Sequence, residues 1–204
     1  MNFYCLKVGD RYTIEFVHKL ESMISRTYDS PYKLHCITDR PEELPIYIEA
    51  IEMPDLGVEK WWNKMILFNE DFVKEGVFFD LDIVLKGCIN NIHQPGQYMR
   101  FMHTDWVDLD KLRKETIGNR QRFCSINSSV LSWDQNTQRH NIWEYFIENK
   151  EKIVNIFTGI DSFIEHRFPN NYSVFPEPLD QIHIFLDKKQ DEMREESWIQ
   201  KLWI

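Results

Sequence analysis

The sequence predicts an α/β protein with a mainly parallel central sheet flanked by helices. In the first half of its 204 residues, short apolar segments typical of strands alternate with segments whose apolar residues recur at helical spacing. This alternation is typical of βαβ units and therefore of parallel strands. A second observation is the run at residues 77–85, where Asp80 and Asp82 interrupt an otherwise apolar segment. A strand buried on both faces has this continuous apolar character, as parallel strands do.

The segments before this acidic run predict three strands and two helices. Turn residues separate them, notably a Val-Gly-Asp turn after the first strand and an Asp-Arg-Pro turn after the second. A glycine at position 76 ends the second helix. In chain order, the predicted elements are a strand at 2–8, a helix at 12–28, strands at 32–38 and 47–53, and a helix at 61–72.

The second half has weaker periodicity and contains no repeat or linker. It predicts a strand at 123–133 and helices at 142–157 and 161–168. A final segment at 192–204 places its apolar residues on one helical face, which predicts a helix that closes the core. The length fits a single domain.

The composition excludes several classes of function. A net charge of −9 opposes nonspecific binding to nucleic acid or to anionic lipid, since both depend on clustered Lys and Arg. No segment approaches about 18 consecutive apolar residues, and the N-terminus does not resemble a leader peptide, so we expect no transmembrane segment. Four widely separated cysteines in apolar contexts, without a Cys-x-x-Cys pair, indicate buried free thiols and a cytoplasmic protein. They are Cys5, Cys36, Cys88 and Cys124.

Asp80 and Asp82 point to a divalent metal ion. Two carboxylates in an apolar segment repel each other and are poorly solvated unless a cation lies between them. Oxygen ligands suit Mg²⁺ and Mn²⁺, which leave further coordination positions to water and phosphate. A second acidic triplet, at residues 108–110, precedes a charged segment and is better explained as a solvated helix start. A pair of acids facing solvent at a strand end is the alternative for Asp80 and Asp82.

An alternating N-terminal half that ends in Phe-Phe-Asp-Leu-Asp resembles the GT-A fold of nucleotide-sugar glycosyltransferases. The later motifs are similar to the retaining family of glycogenin and the lipopolysaccharide galactosyltransferases. This resemblance implies one glycosyltransferase domain, with a Rossmann-like nucleotide-binding half at 1–86 and a sugar and acceptor half at 87–204. It implies transfer from a nucleoside diphosphate sugar, with UDP as the carrier, to a saccharide or other hydroxyl acceptor. Mn²⁺ or Mg²⁺ is the implied cofactor, and the implied stereochemistry is retention.

The same resemblance assigns the donor site. Tyr12 would stack on the base, while Asp80 and Leu81 contact the nucleotide and Asp80 and Asp82 bind the metal. Lys64 and Lys188 would bind the diphosphate. Ordinary turns after the first and second strands would show the same residue types as these two loops. Lys64 could equally be a solvated lysine. The remaining positions implied for the base and ribose are Val8, Gly9, Asp10, Thr38, Asp39 and Arg40.

Two positions in the second half are implied for the sugar. Asn127 lies in a segment that resembles the strand lining the sugar pocket, with Ser129 where the family has Gly. Asp161 resembles the residue presented near the anomeric carbon, where it would act as a base in an inverting enzyme or support an oxocarbenium-like state in a retaining one. Asp161 could equally be the N-cap of the following helix.

The C-terminal segment departs from the family. Aligning Lys188 with the family's diphosphate-binding lysine places Leu186 at the position of a metal-binding His. His183 lies three residues earlier, either as the metal ligand or as a hydrogen-bonded structural residue. This departure leaves open a catalytically degenerate nucleotide-sugar-binding module. A metal-dependent nucleotidyltransferase is a third alternative, opposed by the lack of a Gly-rich phosphate loop in a chain with 7 Gly.

Overall fold

The computed structural model describes residues 1–104, 124–177 and 179–184. The helices in this part of the chain are α1 (Ile14–Thr27), α2 (His140–Ile156) and α3 (Ile160–Arg167), with 3-10 helices at Pro41–Glu43 and Lys60–Phe68. The strands are β1 (Asn2–Lys7), β2 (Lys33–Thr38), β3 (Glu49–Glu52), β4 (Gly76–Phe79), β5 (Ile83–Leu85), β6 (Met99–His103), β7 (Ile126–Trp133), β8 (Tyr172–Val174) and β9 (Ile182–Ile184).

Seven of these strands form one sheet in the order β3-β2-β1-β4-β7-β6-β8. β1 pairs in parallel with β2, β2 with β3, and β6 with β8, whereas β6 and β7 are antiparallel. The predicted α/β class with a mainly parallel sheet is therefore confirmed. β5 and β9 form a separate antiparallel pair.

The chain divides into two compact units, the first comprising Met1–Met53, Phe78–His93 and Leu179–Ile204. The apolar residues of α1 recur at helical spacing, so they form one face of the helix that is buried in the core. Phe3 on β1 stacks on Phe79 with 5.6 Å between ring centroids. The buried residues of α1 are Phe16, Val17, Leu20, Met23 and Ile24.

The second unit comprises Pro54–Val77 and Gln94–Pro178. Its core is rich in aromatic side chains, which bury large apolar areas and pack in stacked or edge arrangements. Trp62 of the 3-10 helix stacks on Phe146 of α2 at 6.0 Å, and Phe146 lies 6.2 Å from Phe163 of α3. These contacts join three helical elements through one cluster.

The acidic run differs from the prediction of one strand at 77–85. β4 ends at Phe79, Leu81 and Asp82 form a turn, and Ile83 begins β5 in the other sheet. The continuous apolar pattern arises because the two strands on either side of the turn are both buried. The turn leaves both carboxylates partly exposed at the carboxyl end of β4, which avoids the cost of burying two like charges.

Other boundaries differ more modestly. The helix predicted at 61–72 is the shorter 3-10 helix Lys60–Phe68, buried from Trp62 to Phe68. β6, β8 and β9 are absent from the prediction, and the helix predicted at 192–204 lies outside the described residues, as does the acidic triplet at 108–110. The predicted burial of the cysteines is correct for Cys5 and Cys36 and wrong for Cys88, which is exposed. None of the helices described is long and apolar enough to cross a membrane.

Candidate functional site

The loop that follows β1 and the turn that follows β4 meet at a topological switch point in the first unit. β1 has β2 on one side and β4 on the other, and the chain turns to β2 and β3 before it returns to β4. In open α/β sheets, ligands bind in the crevice at such a point. The segments that leave the two strands here are the loop at residues 8–12 and the acidic turn with Asp80 and Asp82.

A direct contact joins these two segments. The Tyr12 hydroxyl donates a hydrogen bond to Asp82 Oδ2 over 2.6 Å. Arg11 Nη2 lies 3.9 Å from the same oxygen, and the Arg11 guanidinium lies 5.1 Å from the centroid of the Tyr12 ring. The Tyr12 ring also contacts Phe16 edge-on, with 5.2 Å between ring centroids. The Asp82 side chain is 21% exposed, so a ligand can reach it from solvent.

Burial and the neighbouring Asp82 carboxylate raise the pKa of Tyr12 above its ordinary value of 10. Both causes disfavour the phenolate, the first by desolvation and the second by repulsion between like charges. Tyr12 is therefore a hydrogen-bond donor to Asp82 throughout the neutral pH range.

The loop after β1 is also tied to the segment after β2. The Gly9 N–H donates to Asp39 Oδ2 at 3.0 Å, and Gly9 has φ +71°, a conformation that glycine adopts without steric cost. The Arg40 guanidinium pairs with Asp10 Oδ1 at 2.5 Å. The backbone N–H of Arg40 donates to the Thr38 hydroxyl at 3.1 Å. The residues predicted for base and ribose binding thus lie in two loops that contact each other.

Lys7 and Glu43 form a further ion pair at this edge, which the sequence interpretation missed. Lys7 ends β1 and is only 3% exposed, and its Nζ lies 2.8 Å from Glu43 Oε2. Arg40 Nη1 lies 3.5 Å from the other Glu43 oxygen. The sequence did contain a signal for this pair: Lys7 ends a largely apolar strand, and a lysine is rarely buried without a partner.

In the second unit, the 3-10 helix and β7 bring Lys64 to the predicted sugar-binding strand. Lys64 is buried at 9% exposure, and its Nζ lies 3.4 Å from both the carbonyl oxygen and the hydroxyl of Ser128. Asn127 Oδ1 accepts a hydrogen bond from the Ser129 N–H at 2.8 Å. Lys64 is therefore not the solvated lysine of the alternative interpretation.

Asp161 lies in the first turn of α3, which begins at Ile160 after Gly159. Asp161 is therefore not the N-cap, although a carboxylate in this turn is favoured by the helix dipole. Glu165, one turn further along, accepts hydrogen bonds from both the N–H and the hydroxyl of Ser125, just before β7. Sequence reasoning missed Glu165, although its i+4 spacing from Asp161 places both acids on one face of α3.

Comparison with known proteins shows what fold this is. No protein-family model and no curated protein matches the sequence. Among solved structures, the apo form of the glycosyltransferase GlyE of Streptococcus pneumoniae TIGR4 is similar with a TM-score of 0.54 and 17% identity, over 86% of this chain and 45% of GlyE. The galactosyltransferase LgtC in complex with donor and acceptor sugar analogs gives 0.57 and 12%, over 85% of this chain and 73% of LgtC. An active-site mutant of LgtC gives 0.59 and 11%. This chain has the GT-A fold.

The chain spans less than half the length of GlyE and about three quarters that of LgtC. Within the GT-A fold, the structure places the predicted positions Val8, Gly9, Asp10 and Tyr12 after β1. Thr38, Asp39 and Arg40 follow in the segment that ends β2. Leu81 is 4% exposed, so its side chain belongs to the core, and the residue offers a ligand mainly its backbone. Lys188 lies outside the described residues.

The backbone of His183 lies in β9, which pairs with the strand that follows the acidic turn. β9 pairs antiparallel with β5 so that His183 lies opposite Val84, two residues after Asp82. β9 therefore lies beside the strand that follows the acidic turn. Whether His183 ligates metal stays a prediction.

The donor set at the acidic turn fits a hard divalent cation. Asp80 and Asp82 supply carboxylate oxygens at a partly exposed turn, and Tyr12 engages one oxygen of Asp82, which leaves Oδ1 for a cation. Within residues 1–104, 124–177 and 179–184, no group of three or more His, Cys, Asp or Glu side chains is arranged to hold a metal ion. Two carboxylates, with further positions filled by water and phosphate, are the pattern that Mg²⁺ commonly adopts.

Proposed function

We propose that this chain is a metal-dependent glycosyltransferase that moves a sugar from a UDP-sugar to a hydroxyl group of a saccharide, with retention of configuration. The observation that supports this most is the contact between Tyr12 and Asp82 at the switch point of a GT-A fold. It joins a loop suited to a nucleoside with a turn suited to a metal and diphosphate. The glycosyltransferase activity of GlyE and LgtC supports the same reaction class.

The reaction breaks the bond between the anomeric carbon and a phosphate oxygen, so negative charge grows on the departing diphosphate. Asp80 and Asp82 would hold a Mn²⁺ or Mg²⁺ ion, which would supply Lewis-acid stabilisation of that charge. Lys64 and Lys188 keep their predicted role as cations for phosphate oxygens. Burial beside Ser128 suits Lys64 to this role, because a positive charge acts more strongly where water is excluded.

The protein's remaining part in the reaction is to orient the sugar. We assign Asn127 to sugar binding; its side-chain oxygen accepts from the Ser129 N–H, which fixes the amide orientation. We assign Asp161 to the region of the anomeric carbon, where its carboxylate would stabilise an oxocarbenium-like state. The first turn of α3 holds this side chain on a regular element rather than on a loop.

Turnover of a donor tests the proposal. The protein is incubated with Mn²⁺ and a panel of UDP-hexoses, and proton NMR follows loss of the donor and the configuration of the product, with water or added saccharides as acceptors. We expect consumption of at least one donor and a first-formed sugar with the donor's configuration. Asp82→Asn should abolish this turnover, whereas Asp71→Asn, an exposed carboxylate in a different turn, should keep it.

Each outcome has a defined meaning. Undiminished turnover by Asp82→Asn contradicts the metal assignment. Inversion in the product contradicts the proposed stereochemistry. If the protein binds UDP-sugars but consumes no donor with any of the acceptors, the result supports the degenerate binding module instead.

A further inference from the structure

Tyr12 combines two features that a residue serving only to stack on a base does not need. Its hydroxyl donates to Asp82 Oδ2 at 2.6 Å, and its ring contacts both Phe16 and the Arg11 guanidinium. The contact spans 70 residues of sequence and joins the loop after β1 to the turn after β4. A stacking role uses the face of the ring and places no demand on the hydroxyl.

Asp82 lies in a turn rather than in a strand, so sheet hydrogen bonds do not hold its backbone, and its carboxylate depends on side-chain partners for orientation. A hydrogen bond from Tyr12 to one oxygen restricts the rotation of the carboxylate and leaves the other oxygen for a ligand. Such outer partners orient metal-binding carboxylates, and their removal typically lowers metal affinity about 10- to 100-fold.

We propose that Tyr12 is a positioning residue for the metal site: its hydroxyl orients the Asp82 carboxylate toward a divalent cation, separately from any stacking of its ring on a base. This inference rests on the proposed function, because it assumes that Asp82 binds a metal. It also implies that nucleoside binding at the loop after β1 and metal binding at the acidic turn are coupled. Occupation of one should strengthen binding at the other.

The test compares Tyr12→Phe with wild-type protein. This substitution keeps the aromatic ring and removes only the hydroxyl. Mn²⁺ alone is titrated into each protein, and free Mn²⁺ is counted by electron paramagnetic resonance. UDP affinity is then measured by calorimetry with Mn²⁺ and again with excess chelator. We expect about tenfold weaker Mn²⁺ binding in Tyr12→Phe, with an unchanged UDP affinity in chelator.

The chain provides a matched control in the same unit. Tyr32 also donates its hydroxyl to a carboxylate, Glu21 Oε1, at 3.0 Å. Tyr32→Phe removes the same kind of hydrogen bond away from the acidic turn, and it should bind Mn²⁺ as wild type does. A loss of Mn²⁺ affinity in both variants would mean a general effect of losing a tyrosine hydroxyl, and would overturn the proposal.

The remaining outcomes separate this inference from the proposed function. Wild-type affinity for Mn²⁺, or tighter binding, in Tyr12→Phe overturns the positioning role while leaving the glycosyltransferase proposal intact. If Tyr12→Phe weakens Mn²⁺ binding but wild-type protein shows no preference for UDP over GDP, the positioning role stands and the proposed donor fails. Equal loss of UDP affinity in Mn²⁺ and in chelator would assign the hydroxyl to the nucleotide instead and overturn the proposal. A wild-type protein that binds no Mn²⁺ contradicts both.

Discussion

At the scale of single residues, the loop that begins at the end of β1 carries two cations in contrasting surroundings. Lys7 is buried and paired with Glu43, whereas the Arg11 side chain is 64% exposed and lies 3.9 Å from Asp82. The first is fixed by its partner and by the surrounding core. The second is a solvated charge beside a carboxylate that we assign to metal binding, so it should oppose the approach of another cation.

Arg11→Gln should therefore strengthen the binding of Mn²⁺ in the absence of nucleotide. The gain should be about two- to threefold, because exposed charge pairs contribute well under 1 kcal/mol and are screened by salt. Titration of Mn²⁺ at low and at high salt measures it, and the difference from wild type should shrink as salt rises. Weaker Mn²⁺ binding in Arg11→Gln would contradict this role for the guanidinium.

The Lys7–Glu43 pair predicts a contribution to stability in the acid range. The hydrogen bond from Lys7 lowers the pKa of Glu43 below its ordinary value of 4.5. Since the folded-state pKa is depressed, the stabilisation is present above pH 4.5 and is lost as pH falls through the folded-state value. Urea unfolding of Glu43→Gln across this range should show a shallower loss of stability on acidification than wild type. Identical slopes would argue that the pair does not couple protonation to folding.

At the scale of elements, the second unit depends on one buried arginine at the start of α2. Arg139 is 3% exposed, and its guanidinium donates to the carbonyl oxygens of Leu67 and Val73. The backbone N–H groups of Arg139 and His140 both donate to Glu70 Oε1 at 3.1 Å. These bonds join the end of the 3-10 helix, the segment before β4 and the first turn of α2.

Arg139→Met should destabilise the protein by about 2–4 kcal/mol, because it leaves two carbonyl oxygens without their buried charged donor. Urea denaturation monitored by circular dichroism measures the change. Arg167→Met is the matched control, since Arg167 is exposed and lies over the Tyr145 ring at 5.0 Å. Equal stability of Arg139→Met and wild type would show that water replaces the lost donors.

The elements also show what the sequence could predict. α1 follows from its helical periodicity, and the strands at its ends follow from short segments that are buried over most of their length. β6 and β8 were missed because both are short and each has a polar residue at its second position. The apolar run through Asp80 and Asp82 suggested a single strand, since composition cannot show that its two ends are buried in different sheets.

The candidate site was predictable only in part, for a similar reason. Asp80 and Asp82 stand out by their apolar neighbours, and the resemblance to glycosyltransferases supplied Tyr12 and the loops. The hydrogen bond between Tyr12 and Asp82 depends on which strands are adjacent in the sheet, and periodicity does not give that order. Lys7 and Glu43 were missed because their pairing depends on the path of the chain after β2.

At the scale of the whole molecule, the fold brings the loop after β1 to an acidic turn in a protein of net charge −9. A donor that carries a negatively charged diphosphate meets unfavourable long-range electrostatics on such a protein. Its binding should therefore depend on a cation at the acidic turn. This makes metal dependence of nucleotide binding the central property of the proposed function.

Calorimetric binding of UDP, with GDP as the comparison, in Mn²⁺ and again in excess chelator tests that property most directly. We predict UDP binding that is much stronger in Mn²⁺ than in chelator, that favours UDP over GDP, and that falls to the chelator level in Asp82→Asn but keeps its wild-type strength in Asp71→Asn. Binding that is equally strong in chelator would contradict the metal assignment. Failure of either nucleotide to bind in Mn²⁺ would contradict the proposal that this GT-A fold holds a nucleotide-sugar donor.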